Sequence, residues 1–492
     1  MKLKVKNSGW SAGRPVAILN ESATKKIGVK VNDRILIRSK TSRVISILDI
    51  SSKIAHENEI VLSSEIIDYM KLKNNEFVEV EIAKNPQIIQ IIHKKFANQK
   101  LSEKEIFTII ESIVNNALTE TEIAFFISAV YEAGMSLDEI AWMTKAMVNT
   151  GDKLHLKNKI IIDKHSIGGI AGNRTTPIVV SICAAAGLIF PKTSSRAITS
   201  AAGTADVVET ICRVNFSARE LEKIINRVGA CLAWGGSLGF APADDKIIRV
   251  ESQINIDPEP NLLASILAKK LAVGSKYILI DIPYGKFAKV DKKQALHLKK
   301  QFESLGKLFK LHLKCEITKG EAPIGNGIGP VLEMRDIILV LNNNGPEDLK
   351  NKALFLSGQL FELAGKTKKG QGQKLAREIL ESGKALKKFN EIISTQGGNI
   401  KNINKTLSLA KLSLNINSKS SGKIKEIDNK KINLLARIAG SPNDKKAGIY
   451  LHKHLGDKVS KGEKLITIYS QSNKHLQDAK DFCDGNHIFV MS

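Results

Sequence analysis

The sequence predicts a multidomain α/β protein with a small N-terminal β domain, a helical domain, an α/β phosphate-binding domain and a C-terminal β-rich α+β module. Three observations carry this prediction. The hydrophobic period changes along the chain, from short alternating runs, to helical spacing behind repeated capping signals, to strand, loop and helix in repetition. The length of 492 residues allows about three domains at roughly 150 residues each. The composition, 43% hydrophobic and 25% charged with 5% aromatic residues, is that of a globular chain and argues against general disorder.

Residues 1–84 form the β domain. The runs Pro15-Val-Ala-Ile-Leu19, Arg34-Ile-Leu-Ile-Arg38, Val44-Ile-Ser-Ile-Leu48 and Glu76-Phe-Val-Glu-Val-Glu-Ile82 alternate apolar and polar side chains between Gly, Asn, Asp and Ser turns. Residues 84–100, with Lys84, Pro86, Lys94, Lys95 and Lys100, read as a basic connection. Ser102-x-x-Glu105, Thr119-x-x-Glu122 and Ser136-x-x-Glu139 are successive capping boxes, so three short helices follow. From residue 159 the pattern is that of an α/β domain. A strand at 160–163 enters a Gly-rich turn at 164–172 and then a helix at 175–186. A strand at 187–191 enters a polar loop at 193–204 and a helix at about 205–211. Ser217-x-x-Glu220 caps a further helix, and 230–234, 261–273 and 277–282 continue as strand, helix and strand. Residues 399–422, rich in Asn, Ser and Lys, read as a linker, and 420–492 as the second β-rich module, with turns at Gly440-Ser-Pro, Leu455-Gly-Asp and Lys461-Gly-Glu.

Charge is the unusual property: 74 Lys+Arg against 50 Asp+Glu give +24. The lysines are spread over the chain without an Arg-rich arm or interleaved aromatics, so the reading is a solvated lysine surface that steers anionic small ligands, without nucleic acid as a partner. The cysteines, Cys183, Cys212, Cys231, Cys315 and Cys483, lie far apart with no C-x-x-C, which supports neither a disulfide scaffold nor a zinc finger. The first residues lack the apolar run of a signal peptide and no stretch reads as a spanning helix, so the expectation is a cytoplasmic protein without membrane association.

The chemistry gathers in three places. Lys164-His-Ser-Ile-Gly-Gly-Ile-Ala-Gly-Asn173 lies between strand and helix, where backbone N–H groups and a helix N-terminus face an anion and Lys164 and Ser166 add a charge and a hydroxyl. It is neither a Walker A motif nor G-x-G-x-x-G. Thr193-Ser-Ser-Arg-Ala-Ile-Thr-Ser-Ala-Ala-Gly-Thr204 sets hydroxyls around one guanidinium, and Arg196 could take an anion bidentately; a solvated loop is the alternative. Both loops follow strands of one parallel sheet, at the edge where such folds bind ligands. The third place is Arg249, the stretch Asn255-Ile-Asp-Pro-Glu259, and Ser265 with Lys269, which share a helix face at i, i+4. Asp257 precedes a proline at a helix entrance, so spacing leaves it open as an N-cap or an acid.

These motifs together, with Gly325-Asn-Gly-Ile-Gly-Pro-Val-Leu-Glu333 and Leu455-Gly-Asp-Lys-Val-x-Lys-Gly, resemble the thymidine and pyrimidine-nucleoside phosphorylase family over nearly the whole chain. The N-terminal β domain and Ser194-Ser-Arg-Ala-Ile-Thr-Ser200 are similar to the subgroup with archaeal AMP phosphorylases and bacterial thymidine phosphorylase homologues. Typical thymidine phosphorylases carry a glycine-rich loop there. Hydroxyls in place of glycines, at Ser195, Thr199 and Ser200, add donors suited to a substrate's own 5′-phosphate, the alternative being that they serve only the inorganic phosphate.

The resemblance implies a helical domain from 88–157 plus about 241–273, and an α/β domain from 158–240 plus about 274–410. It implies a cleft that closes on substrate, and dimers through the helical domain or a higher homo-oligomer. The implied reaction is phosphorolysis of an N-glycosidic bond, of a pyrimidine nucleoside or a nucleoside 5′-monophosphate, with inorganic phosphate as co-substrate and no cofactor or metal. Lys164, Ser166, Gly168, Gly169 and Thr204 would hold phosphate, and Asp257 matches the proton donor. Ser195, Arg196, Ala197, Ile198, Thr199, Ser200, Ser265 and Lys289 match substrate-binding positions, while Arg249, Lys269 and His165 match base-contacting ones; His165 is the second candidate acid. A phosphoribosyltransferase related through the helical block, and an RNA-binding protein, are the alternatives.

Overall fold

A closed six-stranded barrel accounts for the alternating runs of the N-terminal segment. Its strands are β1 (Lys2–Asn7), β2 (Val16–Leu19), β3 (Arg34–Arg38), β4 (Arg43–Ile50), β5 (Glu59–Leu62) and β6 (Phe77–Ile82), in the order β1-β5-β2-β4-β3-β6. Leu3, Val5, Ile35, Ile37, Val78 and Val80, every second residue of their strands, fill the interior. The computed structural model describes residues 1–83, 88–157, 160–197, 200–400 and 403–492.

The barrel belongs to a compact unit made of residues 1–150 and 242–262. The capping boxes at Ser102, Thr119 and Ser136 start the helices Glu103–Val114, Glu120–Ala133 and Leu137–Asn149, each with both reciprocal bonds made. The stretch read as a basic connection contains a helix, Ile88–Phe96. Ile88 and Ile92, four residues apart, are buried, and Lys95 is buried because its ammonium pairs with Glu139 at 3.0 Å. The helix Pro242–Ile254 rejoins this unit, and Lys246 Nζ donates to the carbonyls of Ile113 and Val114 at 2.9 and 2.7 Å, ending the helix Glu103–Val114.

The second unit comprises residues 151–241 and 263–492. Its strands β7 (Ile162–Ser166), β8 (Phe190–Ser194), β9 (Ala230–Trp234), β10 (Tyr277–Tyr284) and β11 (His312–Lys319) pair in parallel as β11-β10-β7 and β8-β9. An isolated bridge, Ile161 to Ile189, joins the two ladders at the start of β7 and β8. Strand β7 thus has β10 on one side and β8 on the other, so the direction in which successive parallel strands are added reverses there; in open α/β sheets, that is where ligands bind. The helix Thr176–Ala185, buried almost all round, packs with the helices Glu347–Leu363 and Lys384–Thr395 in the largest apolar core.

The C-terminal module adds β12 (Gly327–Ile328), β13 (Leu412–Asn417), β14 (Gly422–Ile427), β15 (Gly448–Leu451), β16 (Lys458–Val459), β17 (Lys464–Ser470) and β18 (Phe489–Met491), with β12-β15-β17-β13 antiparallel and β14 between β16 and β18. The stretch read as a linker therefore carries a strand. In Leu412-Ser-Leu-Asn-Ile-Asn417 the alternation is short, and its polar surroundings mask it. Among the described residues no helix is long and apolar enough to cross a membrane.

Candidate functional site

Two buried aspartates and four lysines underlie the ends of β7, β8 and β10. Asp163 is fully buried and accepts from Lys192 Nζ at 3.1 Å, while Lys270 Nζ lies 2.8 Å from its other oxygen. Lys192 also donates to the Lys164 carbonyl at 2.7 Å, which fastens β8 to β7 beyond their single bridge. Asp281 on β10 pairs with Lys352 at 3.1 Å and accepts from Thr318 at 2.7 Å. Burial alone would raise the Asp281 carboxyl, but Lys352 and Lys164 hold it below the usual carboxylate range. Four lysines, Lys164, Lys192, Lys270 and Lys352, face two carboxylates here, so basic groups outnumber acidic ones in the cluster, and burial pushes Lys270 down to about 7.

Lys164 is buried, and its ammonium donates to Thr175 Oγ1 at 2.9 Å and Thr176 Oγ1 at 3.5 Å. Burial pushes it down to about 8, with Asp281 and Asp163 opposing and Lys352 and Arg174 adding to the drop. His165 next to it is lowered well below its ordinary value, first by burial and then by Lys270, Lys192, Lys269 and Lys164. The ring is therefore neutral at neutral pH, a hydrogen-bonding group and not a cationic acid, because burial first and the neighbouring lysines second disfavour its second proton.

Ser166 Oγ, at the end of β7, is buried without a hydrogen-bond partner, as are Thr193 Oγ1 on β8 and Asn173 Oδ1. Leaving such atoms unmatched costs roughly 1–3 kcal/mol each, so a hydrogen-bonding partner from outside the chain would be favoured there. Gly168 and Gly169 both have φ of 89°, a conformation in which any side chain is strained. A Cβ on Gly168 would meet nothing within 4 Å, whereas one on Gly169 would fall 2.5 Å from the Lys289 backbone nitrogen. The first glycine borders open space and the second is wedged against the Lys289 loop.

The loop after β8 differs from expectation. Arg196, read as an anion clamp, gives its guanidinium to Glu209 through two bonds of 2.7 Å and to Asp206 at 3.1 Å, and lies over the Trp234 ring at 4.8 Å. The Glu209 hydrogen bonds raise the Arg196 value and the same contact holds Glu209 down at about 2. Asp206 also accepts from the amides of Ala197 and Gly203 at 2.7 and 2.8 Å. Its carboxylate thus staples both ends of the loop. Ser195 is exposed, and Ser200 donates to the Ala202 carbonyl. Ile198 and Thr199 lie outside the described residues. Thr204, buried, accepts from Arg174 Nη1 at 2.9 Å.

Ser265 accepts from Lys269 Nζ at 2.9 Å on one helix face, Glu259–Ala272, and Lys289 is exposed. In the first unit, Arg249 reaches Glu120 at 3.0 Å and the Gly13 carbonyl at 3.3 Å. Asp257 is exposed between the helices Pro242–Ile254 and Glu259–Ala272. Pro258, not Asp257, immediately precedes the second helix, and its carbonyl accepts from the Leu262 amide at 3.0 Å, so the N-cap position falls to the proline.

Sequence reasoning passed over Arg174, which links the two loops. It donates to Glu333 at 2.6 Å, to Thr204, and to the Ala202 carbonyl at 2.6 Å. It also passed over Asp163, Lys192, Lys270 and Asp281. A usable signal existed, since Asp163 and Asp281 stand inside apolar strand runs, where a charge must be paired.

Comparison with known proteins matches three domains in order. Residues 89–151 match the helical bundle domain of a glycosyl transferase family, 158–285 its a/b domain, and 423–487 the pyrimidine nucleoside phosphorylase C-terminal domain. The AMP phosphorylase of Methanococcus aeolicus is 45% identical over 468 residues, 94% of this chain and 92% of that protein. That of Pyrococcus abyssi is 46% identical over 481 residues, 97% and 95% of the two chains. The chain belongs to the pyrimidine-nucleoside and AMP phosphorylase family. The enzyme is a pentosyltransferase that phosphorolyses an N-glycosidic bond. Anthranilate phosphoribosyltransferase from Thermus thermophilus has a TM-score of 0.53 at 18% identity, covering 62% of this chain and 99% of its own; this likeness is one of fold.

Proposed function

We propose that the enzyme is an AMP phosphorylase, in which inorganic phosphate attacks the anomeric carbon of AMP to give adenine and ribose 1,5-bisphosphate. The observation that carries this reading is the near full-length likeness to AMP phosphorylases at 45–46% identity. The unmatched Ser166 and Thr193 hydroxyls at the lysine-rich strand ends support it.

In this reading Lys164, Ser166, the Gly168 and Gly169 amides and Thr204 hold phosphate in line with the anomeric carbon, which converts a bimolecular step into one within the complex. The loop from Ser195 to Ser200, with Ser265 and Lys289, takes the nucleotide. Arg249, Lys269 and neutral His165 face the base, and Asp257 gives the leaving base its proton. Cytoplasmic location and homodimers through the helical domain belong to the same reading.

The test is incubation of the full chain with AMP, with and without inorganic phosphate, monitoring adenine. Phosphate-dependent adenine release, faster than thymine release from thymidine, is expected. Preference for thymidine would make it a nucleoside phosphorylase, and transfer from a phosphoribosyl diphosphate would make it a phosphoribosyltransferase.

A further inference from the structure

The C-terminal module is built into both loops of the site. The helix Asn429–Ile438 presents two asparagines one turn apart. Asn429, fully buried, accepts from the Ala171 amide of the glycine loop at 3.2 Å and donates to the Gly320 carbonyl after β11 at 3.4 Å. Asn433 accepts from the Ala201 amide of the Ser/Thr loop at 3.1 Å and donates to the Asn429 carbonyl at 3.0 Å. The methyl groups of Ala171 and Ala201 lie in the apolar core of this module, with Ile424, Ile432 and Leu435. Lys445 reaches Glu209, the partner of Arg196, at 2.6 Å. Each loop therefore has one backbone amide and one apolar side chain fixed by the C-terminal module.

A loop of glycines and hydroxyls has many conformations, and ordering one residue costs about 1–2 kcal/mol. Whatever pre-orders these loops improves binding of the ligands they take. We infer that Asn429 and Asn433 are positioning residues, Asn429 setting phosphate affinity through the glycine loop and Asn433 setting nucleotide affinity through the Ser/Thr loop. Neither touches substrate; each acts through the amide it holds. The assignment of ligands to loops rests on the AMP phosphorylase reading.

The full chain carrying Asn429→Leu or Asn433→Leu tests this. Asn429→Leu should raise the phosphate KM by roughly 3- to 10-fold, the loss expected of one such hydrogen bond, with the AMP KM and kcat changed less. Asn433→Leu should do the reverse, raising the AMP KM. A merely structural role lowers melting temperature and active fraction, so both variants would lose kcat with both KM values intact; that outcome overturns the inference. The thermal shift given by inorganic phosphate alone provides an independent measurement. If wild type fails to cleave AMP, the AMP phosphorylase reading falls, yet Asn429→Leu must still weaken the phosphate shift. Should Asn429→Leu fail to fold, Asn429→Ala replaces it with the same phosphate readout, and should Asn433→Leu fail to fold, Lys445→Met at the half-exposed rim replaces it. A raised AMP KM with unchanged phosphate KM supports the brace, and unchanged values of both refute it.

Discussion

The loop leaving β7 and the loop leaving β8 have similar ingredients, a cation, several hydroxyls and glycine, but opposite internal balance. In the first, Lys164 donates to two neutral hydroxyls above a cluster with four lysines and two carboxylates, and Ser166 is unmatched. In the second, Arg196 is neutralised by Glu209 and Asp206, and Asp206 also takes two loop amides. The lysine of one loop donates to neutral hydroxyls, whereas the guanidinium of the other is already balanced by carboxylates. A guanidinium in a polar loop is thus weak support for an anion site until its counter-charge has been located.

The largest expected effect tests whether either loop supplies the acid. Asp257→Asn should lower turnover by ~10²-fold or more with smaller changes in both KM values, the usual range for a lost general acid. A near-normal rate in steady-state assays would remove the proton-donor role from Asp257.

The second prediction opposes the loops directly. Lys164→Met should raise the phosphate KM by roughly 10- to 100-fold, as for a lost charged hydrogen bond. Arg196→Met should leave that KM within about 3-fold and instead lower stability by about 1–2 kcal/mol, because Glu209 and Asp206 lose their partner. Equal effects on the phosphate KM would break the distinction drawn between them.

The third concerns pH. Lys164, lowered to about 8, is charged below that pH in the free enzyme and neutral above it. Phosphate favours the charged form, so affinity contributed by Lys164 is present below about 8 and lost above it. The phosphate KM should climb by about tenfold per pH unit beyond that point. For stability the sign is opposite: a lysine lowered on folding destabilises while it is charged, and that penalty fades as pH rises from about 8 towards the unfolded value. Lys164→Met should abolish the alkaline limb in a KM–pH profile.

Much of this was legible in the sequence, and the exceptions share a cause. The capping boxes at Ser102, Thr119, Ser136 and Ser217 were readable because cap and acceptor lie three residues apart. So was the glycine loop, whose chemistry is local. The role of Arg196 was not, since Glu209 is 13 residues away and its own brace, Lys445, is 236 residues further on. The helix Ile88–Phe96 was hidden because Lys95 reads as solvated until Glu139, 44 residues along, neutralises it. Sequence shows which groups a loop has, and topology decides which of them are already engaged.

The smallest effect separates the two adjacent glycines. Both have φ of 89°, so alanine at either should cost roughly 1–3 kcal/mol of backbone strain. At Gly169 the methyl group also meets the Lys289 backbone nitrogen at 2.5 Å, and backbone cannot move aside as a side-chain tip does. Gly169→Ala should therefore show the lower melting temperature and, by pushing the Lys289 loop, a raised AMP KM. At Gly168 the methyl enters open space, so no protein clash adds to the strain. If that space is where phosphate lies, Gly168→Ala should raise the phosphate KM severalfold at the smaller stability loss. Equal phosphate KM values for wild type and Gly168→Ala would move phosphate away from this amide and towards Ser166 and Thr193.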